Sequence, residues 1–209
     1  VFKFETLDDF STKISFCNAL VIFASARKSQ SLLGCSKLKF LNQTHSSTIA
    51  ELSVTDNEVT ADGWFIRNSD ILGCNTIPAI RTSDCMPLAL INKQSCCLLH
   101  VGWRGLKNGI VEQALNLMKP SIAILGPCAR ACCYEVKEDV LDTFGVLAVY
   151  RKAQDKYLLD LPAILMKKLL NIPVMDLNVC TICNPNFFSY RRKDKGSNLT
   201  LLCSPEIQI

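Results

Sequence analysis

Histidine is almost missing from this chain: 2 of its 209 residues carry an imidazole. Long apolar runs are missing too, and none approaches the roughly 20 residues that a membrane helix requires. The opening Val1-Phe2-Lys3-Phe4-Glu5 contains an acid and no apolar h-region, so it does not read as a signal peptide. Neither sign of charge dominates. The 23 Lys and Arg against 19 Asp and Glu leave +4, mixed along the chain. That balance does not imply a nucleic-acid face, and neither a nucleic-acid nor a membrane partner is expected. The dense run Arg191-Arg192-Lys193-Asp194-Lys195, beside Gly196, reads either as a solvated turn or as an anion site. There is no internal repeat, low-complexity tract or Gly/Ser linker, which points to one domain over residues 1–209.

Cysteine, by contrast, is abundant, at 12 residues. A disulfide scaffold fits poorly with a chain of this length that is 49% hydrophobic and shows no export signal. Cys96-Cys97 and Cys132-Cys133 are sequence neighbours, which seldom bridge one another. Most of these thiols read as small buried apolar residues in a reducing compartment, so a cytoplasmic protein is expected. Cys180-Thr181-Ile182-Cys183 is a lone C-x-x-C, weak evidence for metal or redox work without a second half. Cys128, Cys132 and Cys133 could form a thiol cluster, but packing is the favoured reading.

Short apolar runs bounded by Gly, Pro, Asn and Ser predict strands at residues 20–24, 77–81, 88–91, 96–101, 122–125 and 174–180. Apolar spacings of three and four through Leu106, Ile110, Ala114 and Leu117 predict one helix over 104–118, stopped by Pro120. Asp160 can cap a second helix with Pro162 in its first turn, running through Ile164, Leu165, Lys168 and Leu169. A shorter helix follows Tyr134, through Val140 and Leu141 to Phe144. Strands outnumber helices without strict alternation. This pattern predicts an α+β fold of mixed β-sheets with flanking helices rather than a doubly wound parallel sheet.

Both histidines sit in polar signatures: Asn42-Gln43-Thr44-His45-Ser46 and His100-Val101-Gly102-Trp103-Arg104-Gly105. Between them, Cys85 lies in Thr82-Ser83-Asp84-Cys85-Met86-Pro87. Two imidazoles and a thiolate are a common ligand set for a catalytic zinc, which keeps one position for water or substrate. Their long, unequal spacings match no zinc finger and suit a site that the fold assembles. Taken singly, each residue also has a plain account: a core histidine, one buried cysteine among many, a surface turn. Asp84 beside Cys85 would disfavour a thiolate, and a bound cation would reverse that. Arg104, at a helix start that itself favours anions, suits phosphate or carboxylate. Asp62, in Ala61-Asp62-Gly63, either orients a metal ligand from behind or caps its own turn.

In this order, residues 42–46, 61–63, 82–87, 100–105, 126–136 and 180–192 resemble one family. These are the YfiH-like proteins, formerly called multicopper polyphenol oxidases or laccase-domain proteins. The family is now described as purine nucleoside phosphorylases with adenosine deaminase activity. The resemblance implies that His45, Cys85 and His100 are metal ligands and the catalytic centre, usually with zinc. It also implies a mixed-sheet α+β fold shared with proteins first suspected of being cysteine hydrolases. Gln43, Asp62 and Arg104 are the candidates for binding substrate. Adenosine, inosine, guanosine and methylthioadenosine, with phosphate, are the implied substrates. The chain departs from the family at Val101, where Ala is common. Its first forty residues are short and lack the usual glycine-rich opening, and residues 195–202 lack a Thr-Gly-Arg.

Several copper centres would need many imidazoles, so two histidines argue against a conventional laccase, though copper in the open site could give weak polyphenol oxidation. No Glu stands two residues after either histidine, where the well-known zinc deaminases carry their proton shuttle. Two other readings remain open. One is a metal-free cysteine hydrolase, with Cys85 as nucleophile and His100 as base, acting on amide or cell-wall precursor substrates. The other is a zinc-stabilised binding protein without catalysis.

Overall fold

The computed structural model describes residues 3–7, 11–33, 35, 37–52, 58–69, 76–153 and 156–205. Two six-stranded sheets carry the fold. The first runs in the order β1 (Lys3–Thr6), β2 (Thr12–Phe16), β3 (Ala19–Phe23), β15 (Asn198–Cys203), β7 (Ile77–Thr82), β4 (Leu38–Lys39). The second runs β14 (Val174–Asp176), β10 (Ile122–Leu125), β8 (Met86–Ile91), β9 (Ser95–Val101), β6 (Gly63–Arg67), β5 (Ile49–Glu51). A three-stranded sheet joins β11 (Glu135–Val136), β13 (Lys156–Leu159) and β12 (Tyr150–Ala153). Pairing is mostly antiparallel, with β4–β7, β5–β6 and β10–β14 parallel. Helices α1 (Ala26–Leu32), α2 (Trp103–Lys107), α3 (Ile110–Leu117), α4 (Glu138–Asp142) and α5 (Leu161–Lys168) complete the α+β class expected from the sequence. Among the described residues no helix is long and apolar enough to cross a membrane.

The alternation of side chains along each strand sorts the core into layers. Val21 and Phe23 of β3, Ile80 of β7 and Leu202 of β15 face Trp64 and Ile66 of β6, Ala89 and Ile91 of β8, and Leu98 of β9. That layer binds the two large sheets together, and Trp64 Nε1 donates across it to the Ala79 carbonyl at 3.2 Å. On the far side of the second sheet, Leu88, Leu90, Cys97 and Leu99 pack against Leu106, Ile110, Val111, Ala114, Ile164 and Leu165 of the helices. On the far side of the first, Leu20, Ile22, Ala79 and Leu201 pack against Leu32 of α1. With both faces covered, the central strands read as continuous apolar runs instead of alternating ones.

The strands expected at 77–81, 88–91, 96–101 and 122–125 form within a residue or two of their predicted bounds, and β3 is shifted by one residue. The strand expected over 174–180 stops at Asp176. There the carboxylate takes the Arg130 guanidinium and the Asn178 amide, and Asn178 turns the chain with φ +52°. The single helix expected over 104–118 is two helices. The apolar stripe runs on across the break, but Gly109 adopts φ +88°, a left-handed conformation that ends one helix and starts the next. Asp160 caps α5 as expected, its Oδ1 accepting from Ala163 N at 2.9 Å with Pro162 in the first turn. Residues 190–193 form the expected turn.

Gly109→Ala places a Cβ on a left-handed backbone, which costs roughly 1–2 kcal/mol. The expected outcome is a lower urea midpoint with an unchanged slope; an unaltered midpoint would show that the helix break does not depend on that conformation.

Candidate functional site

Antiparallel pairing brings two of the three candidate donors to one end of the second sheet. Met86 pairs with Val101 and Pro87 with His100, so Cys85, just before β8, lies beside the end of β9. His100 shares the side of β9 that carries Cys96 and Leu98, towards the first sheet. His45 comes from the loop between β4 and β5 and has φ +62°. The donor atoms of His45, Cys85 and His100 lie within 4.8 Å of one another. The two imidazole rings meet edge-on, with centroids 4.8 Å apart.

Asp62, fully buried just before β6, holds this arrangement. Its carboxylate accepts from Thr44 N at 3.2 Å, His45 N at 3.0 Å, Ser46 N at 2.6 Å and Ser46 Oγ at 2.7 Å. Its Oδ1 also lies 2.7 Å from His100 Nδ1, and the Asp62 carbonyl accepts from His100 N at 2.7 Å. Asp62 therefore fixes the His45 loop and the His100 ring together. It does not cap its own turn. Burial alone would raise its pKa, but the bonds from His100 and Ser46 outweigh that and hold it at about 2. Burial would likewise lower His100, yet the bonds to Asp62 and Cys85 lift it to about 9. Burial would raise the Cys85 thiol, and its bonds to His100 and His45 bring it down to about 7.

The donor set suits a metal ion. With Nδ1 facing the carboxylate, His100 has Nε2 free to bond, the arrangement typical of metal-binding histidines. A Cβ on Gly102 would lie 3.0 Å from Cys85 Sγ and 3.1 Å from His45 Cδ2, so the turn after β9 leaves room beside the donors only as glycine.

The three donors line a cavity of about 750 Å³, a size typical of small-molecule sites. Arg81, Arg104 and Arg191 also line it, as do Trp103, Tyr134 and Tyr190. Arg104 lies over the Trp103 ring at 4.4 Å and Arg191 over the Tyr134 ring at 5.1 Å. The helix that carries Arg104 is only five residues long, so any anion grip rests on guanidinium charge and not on a helix dipole. Gln43 reaches the wall, but its amide is taken up by the Arg81 backbone, with bonds of 2.8 Å in each direction. Asp84, at φ +85°, accepts from Thr181 Oγ1 at 2.7 Å, Ser189 Oγ at 3.0 Å and Arg191 N at 2.9 Å. It thus ties the loop around Tyr190 and Arg191 to the residue next to Cys85. Sequence reasoning gave no role to Arg81, Tyr134 or Arg191; the hints were the basic run at 191–195 and the family-like stretches 126–136 and 180–192.

The thiols correct three readings: of the 11 described cysteines only Cys96, Cys97, Cys128 and Cys203 are buried, so most are not core residues. Cys128 stands apart, fully buried. The C-x-x-C is not alone: the sulfurs of Cys132, Cys133, Cys180 and Cys183 lie within 4.8 Å of one another. The adjacent pair, distant in sequence, is its second half.

A family model described as multi-copper polyphenol oxidoreductase laccase matches residues 20–204. A purine nucleoside phosphorylase of Aquifex aeolicus is 30% identical over 176 residues, covering 80% of this chain and 82% of that protein. The purine nucleoside phosphorylase YfiH of Shigella flexneri is 31% identical over 177 residues, covering 75% and 69%. The crystal structure of YlmD from Geobacillus stearothermophilus shares the fold with a TM-score of 0.78 at 19% identity, covering 99% of both chains. That of a hypothetical protein YfiH from Bacillus licheniformis has a TM-score of 0.79 at 18% identity, covering 96% and 98%.

Asp62→Asn keeps the shape but removes the charge that orients His100. Affinity for a divalent metal ion such as zinc at these three donors is expected to fall about 10–100-fold in chelator competition; an unchanged affinity would mean the carboxylate does not set the ligand. In metal-stripped protein, alkylation of Cys85 should rise with pH around a midpoint near 7, because the thiolate is the nucleophile and is protonated below that value. Cys97, Cys128 and Cys203, pushed by burial up to about 12, should react only on unfolding. Peptide mapping by mass spectrometry distinguishes them.

Proposed function

This chain belongs to the YfiH-like family, whose model is described as multi-copper polyphenol oxidoreductase laccase, and we propose that it is a zinc-dependent purine nucleoside phosphorylase with adenosine deaminase activity. The observation that carries this reading is the convergence of His45, Cys85 and His100 in the wall of a cavity that three arginines also line. Relatives about 30% identical carry the phosphorylase name, which supports it.

In this reading His45, Cys85 and His100 hold the zinc, and Asp62 fixes His100 in the tautomer that donates to the carboxylate. Bound there, zinc supplies Lewis-acid polarisation and an activated water near neutral pH. Arg81, Arg104 and Arg191 bind phosphate and orient one of its oxygens towards C1′ of the ribose. The C1′–N9 bond breaks as the new C–O bond forms, giving ribose 1-phosphate, and the base leaves carrying a proton. Trp103, Tyr134 and Tyr190 offer aromatic faces for the purine. Deamination at C6 needs a proton carrier. Among the described acids lining the cavity, Asp84 is engaged with Thr181, Ser189 and Arg191, so that role falls to Glu58. Adenosine, inosine, guanosine and methylthioadenosine are the proposed substrates. A reducing, cytoplasmic setting fits, because the site needs its thiolate and the described cysteines are free thiols.

One observation favours a second reading. Cys85, His100 and Asp62 form a relay of thiol, imidazole and buried carboxylate, the order a cysteine hydrolase uses. Stoichiometric zinc on the thiolate would remove that nucleophile.

Inosine should yield hypoxanthine only when phosphate is supplied. Cys85→Ala and His100→Ala should abolish that turnover and lower the zinc content together. Full activity in either variant, or hypoxanthine release without phosphate, would overturn the assignment.

A further inference from the structure

The four surface thiols of Cys132, Cys133, Cys180 and Cys183 have no part in the chemistry above. They differ from the core cysteines. Cys96, Cys97 and Cys128 are fully buried, whereas Cys132 and Cys183 are exposed and Cys133 and Cys180 half-buried, so apolar packing does not account for them. Backbone bonds bring the two halves together. Cys128 N donates to Val179 O at 3.1 Å and Thr181 N to Cys128 O at 3.0 Å. The vicinal pair rides on a turn in which Cys133 N and Tyr134 N donate to Arg130 O at 2.9 and 2.8 Å. On the other side, the Arg192 guanidinium collects the carbonyls of Thr181, Ile182 and Asn184.

The four sulfurs converge closely enough for one ion to reach them all. Bonds of about 2.3 Å in a tetrahedron put sulfurs about 3.8 Å apart. Here they lie within 4.8 Å of one another, with Cys132–Cys183 at 3.5 Å and Cys133–Cys183 at 2.9 Å. An iron–sulfur cluster, which sits between its thiolates, needs them further apart. One disulfide would engage two of the four sulfurs and leave the convergence of the others unexplained.

We propose that Cys132, Cys133, Cys180 and Cys183 form a second, structural zinc site, a closed tetrathiolate independent of His45, Cys85 and His100. On binding, each thiol gives up its proton to solvent as its sulfur bonds the ion, and no oxidant or reductant is required. The site staples residues 128–135 to residues 180–192. Those segments supply Tyr134, Tyr190 and Arg191 to the cavity, and Thr181, inside the C-x-x-C, donates to Asp84 beside Cys85 at 2.7 Å. The zinc thereby fixes the part of the cavity wall that these two segments supply.

The test is zinc content per chain, by mass spectrometry of the reduced, zinc-loaded full chain after desalting. Two zinc ions are expected in the wild type, one in Cys85→Ala, and one in the Cys132→Ser/Cys183→Ser double variant. Cobalt bound to Cys85→Ala should show intense sulfur-to-metal charge transfer and tetrahedral visible bands. If the double variant does not fold, wild type and Cys85→Ala still decide, since an ion kept by Cys85→Ala with that spectrum needs the four thiolates. One zinc in both proteins, with the four-sulfur spectrum, would uphold this site and count against metal at the three-donor site. No zinc in Cys85→Ala, or reduced wild type in which all four thiols alkylate freely in the presence of zinc, would overturn the proposal.

Discussion

The buried carboxylate of Asp62 is the constraint on which the candidate site depends. A charge removed from water is unfavourable unless bonded on most sides, and Asp62 meets that demand with the amides of Thr44, His45 and Ser46, the Ser46 hydroxyl and the His100 ring. Those donors belong to a loop and a strand end that otherwise have little reason to meet. Satisfying the carboxylate and assembling the donors are one event. The left-handed conformation of His45 is tolerated because the loop is determined from several sides at once.

Beneath the carboxylate lies the frame. Strands β8 and β9 are central and covered on both faces, so the end that presents Cys85 and His100 is stiff. The part of the wall supplied by residues 128–135 and 180–192 is built differently, from loops with few backbone ladders. Its order comes from polar clamps: Asp84 on Thr181, Ser189 and Arg191, Arg130 on Asp176, and Arg192 on a row of carbonyls. A loop wall held by such bonds is where an additional metal staple would have most effect.

Much of this was legible in the sequence. The donors His45, Cys85 and His100 stood out because histidine is scarce and each lay in a polar signature, and the buried strands announced themselves as apolar runs. What escaped was non-local. Asn198–Cys203 lies in the middle of the first sheet, yet its partners β3 and β7 are remote in the chain and it follows a charged turn. The helix break at Gly109 was hidden because the apolar stripe continues across it. Cys132-Cys133 and the C-x-x-C looked unrelated because they are far apart in the chain and meet only through tertiary contacts such as the Cys128–Cys180 bridge. Gln43 read as a ligand-facing amide, while its bonds go to the Arg81 backbone.

The most direct test of the central claim is anomalous scattering at the zinc edge from crystals of the reduced, zinc-loaded chain. A peak bonded to His45, Cys85 and His100, with Asp62 behind His100 Nδ1, is expected. Clear density for the three side chains with no peak among them would contradict it.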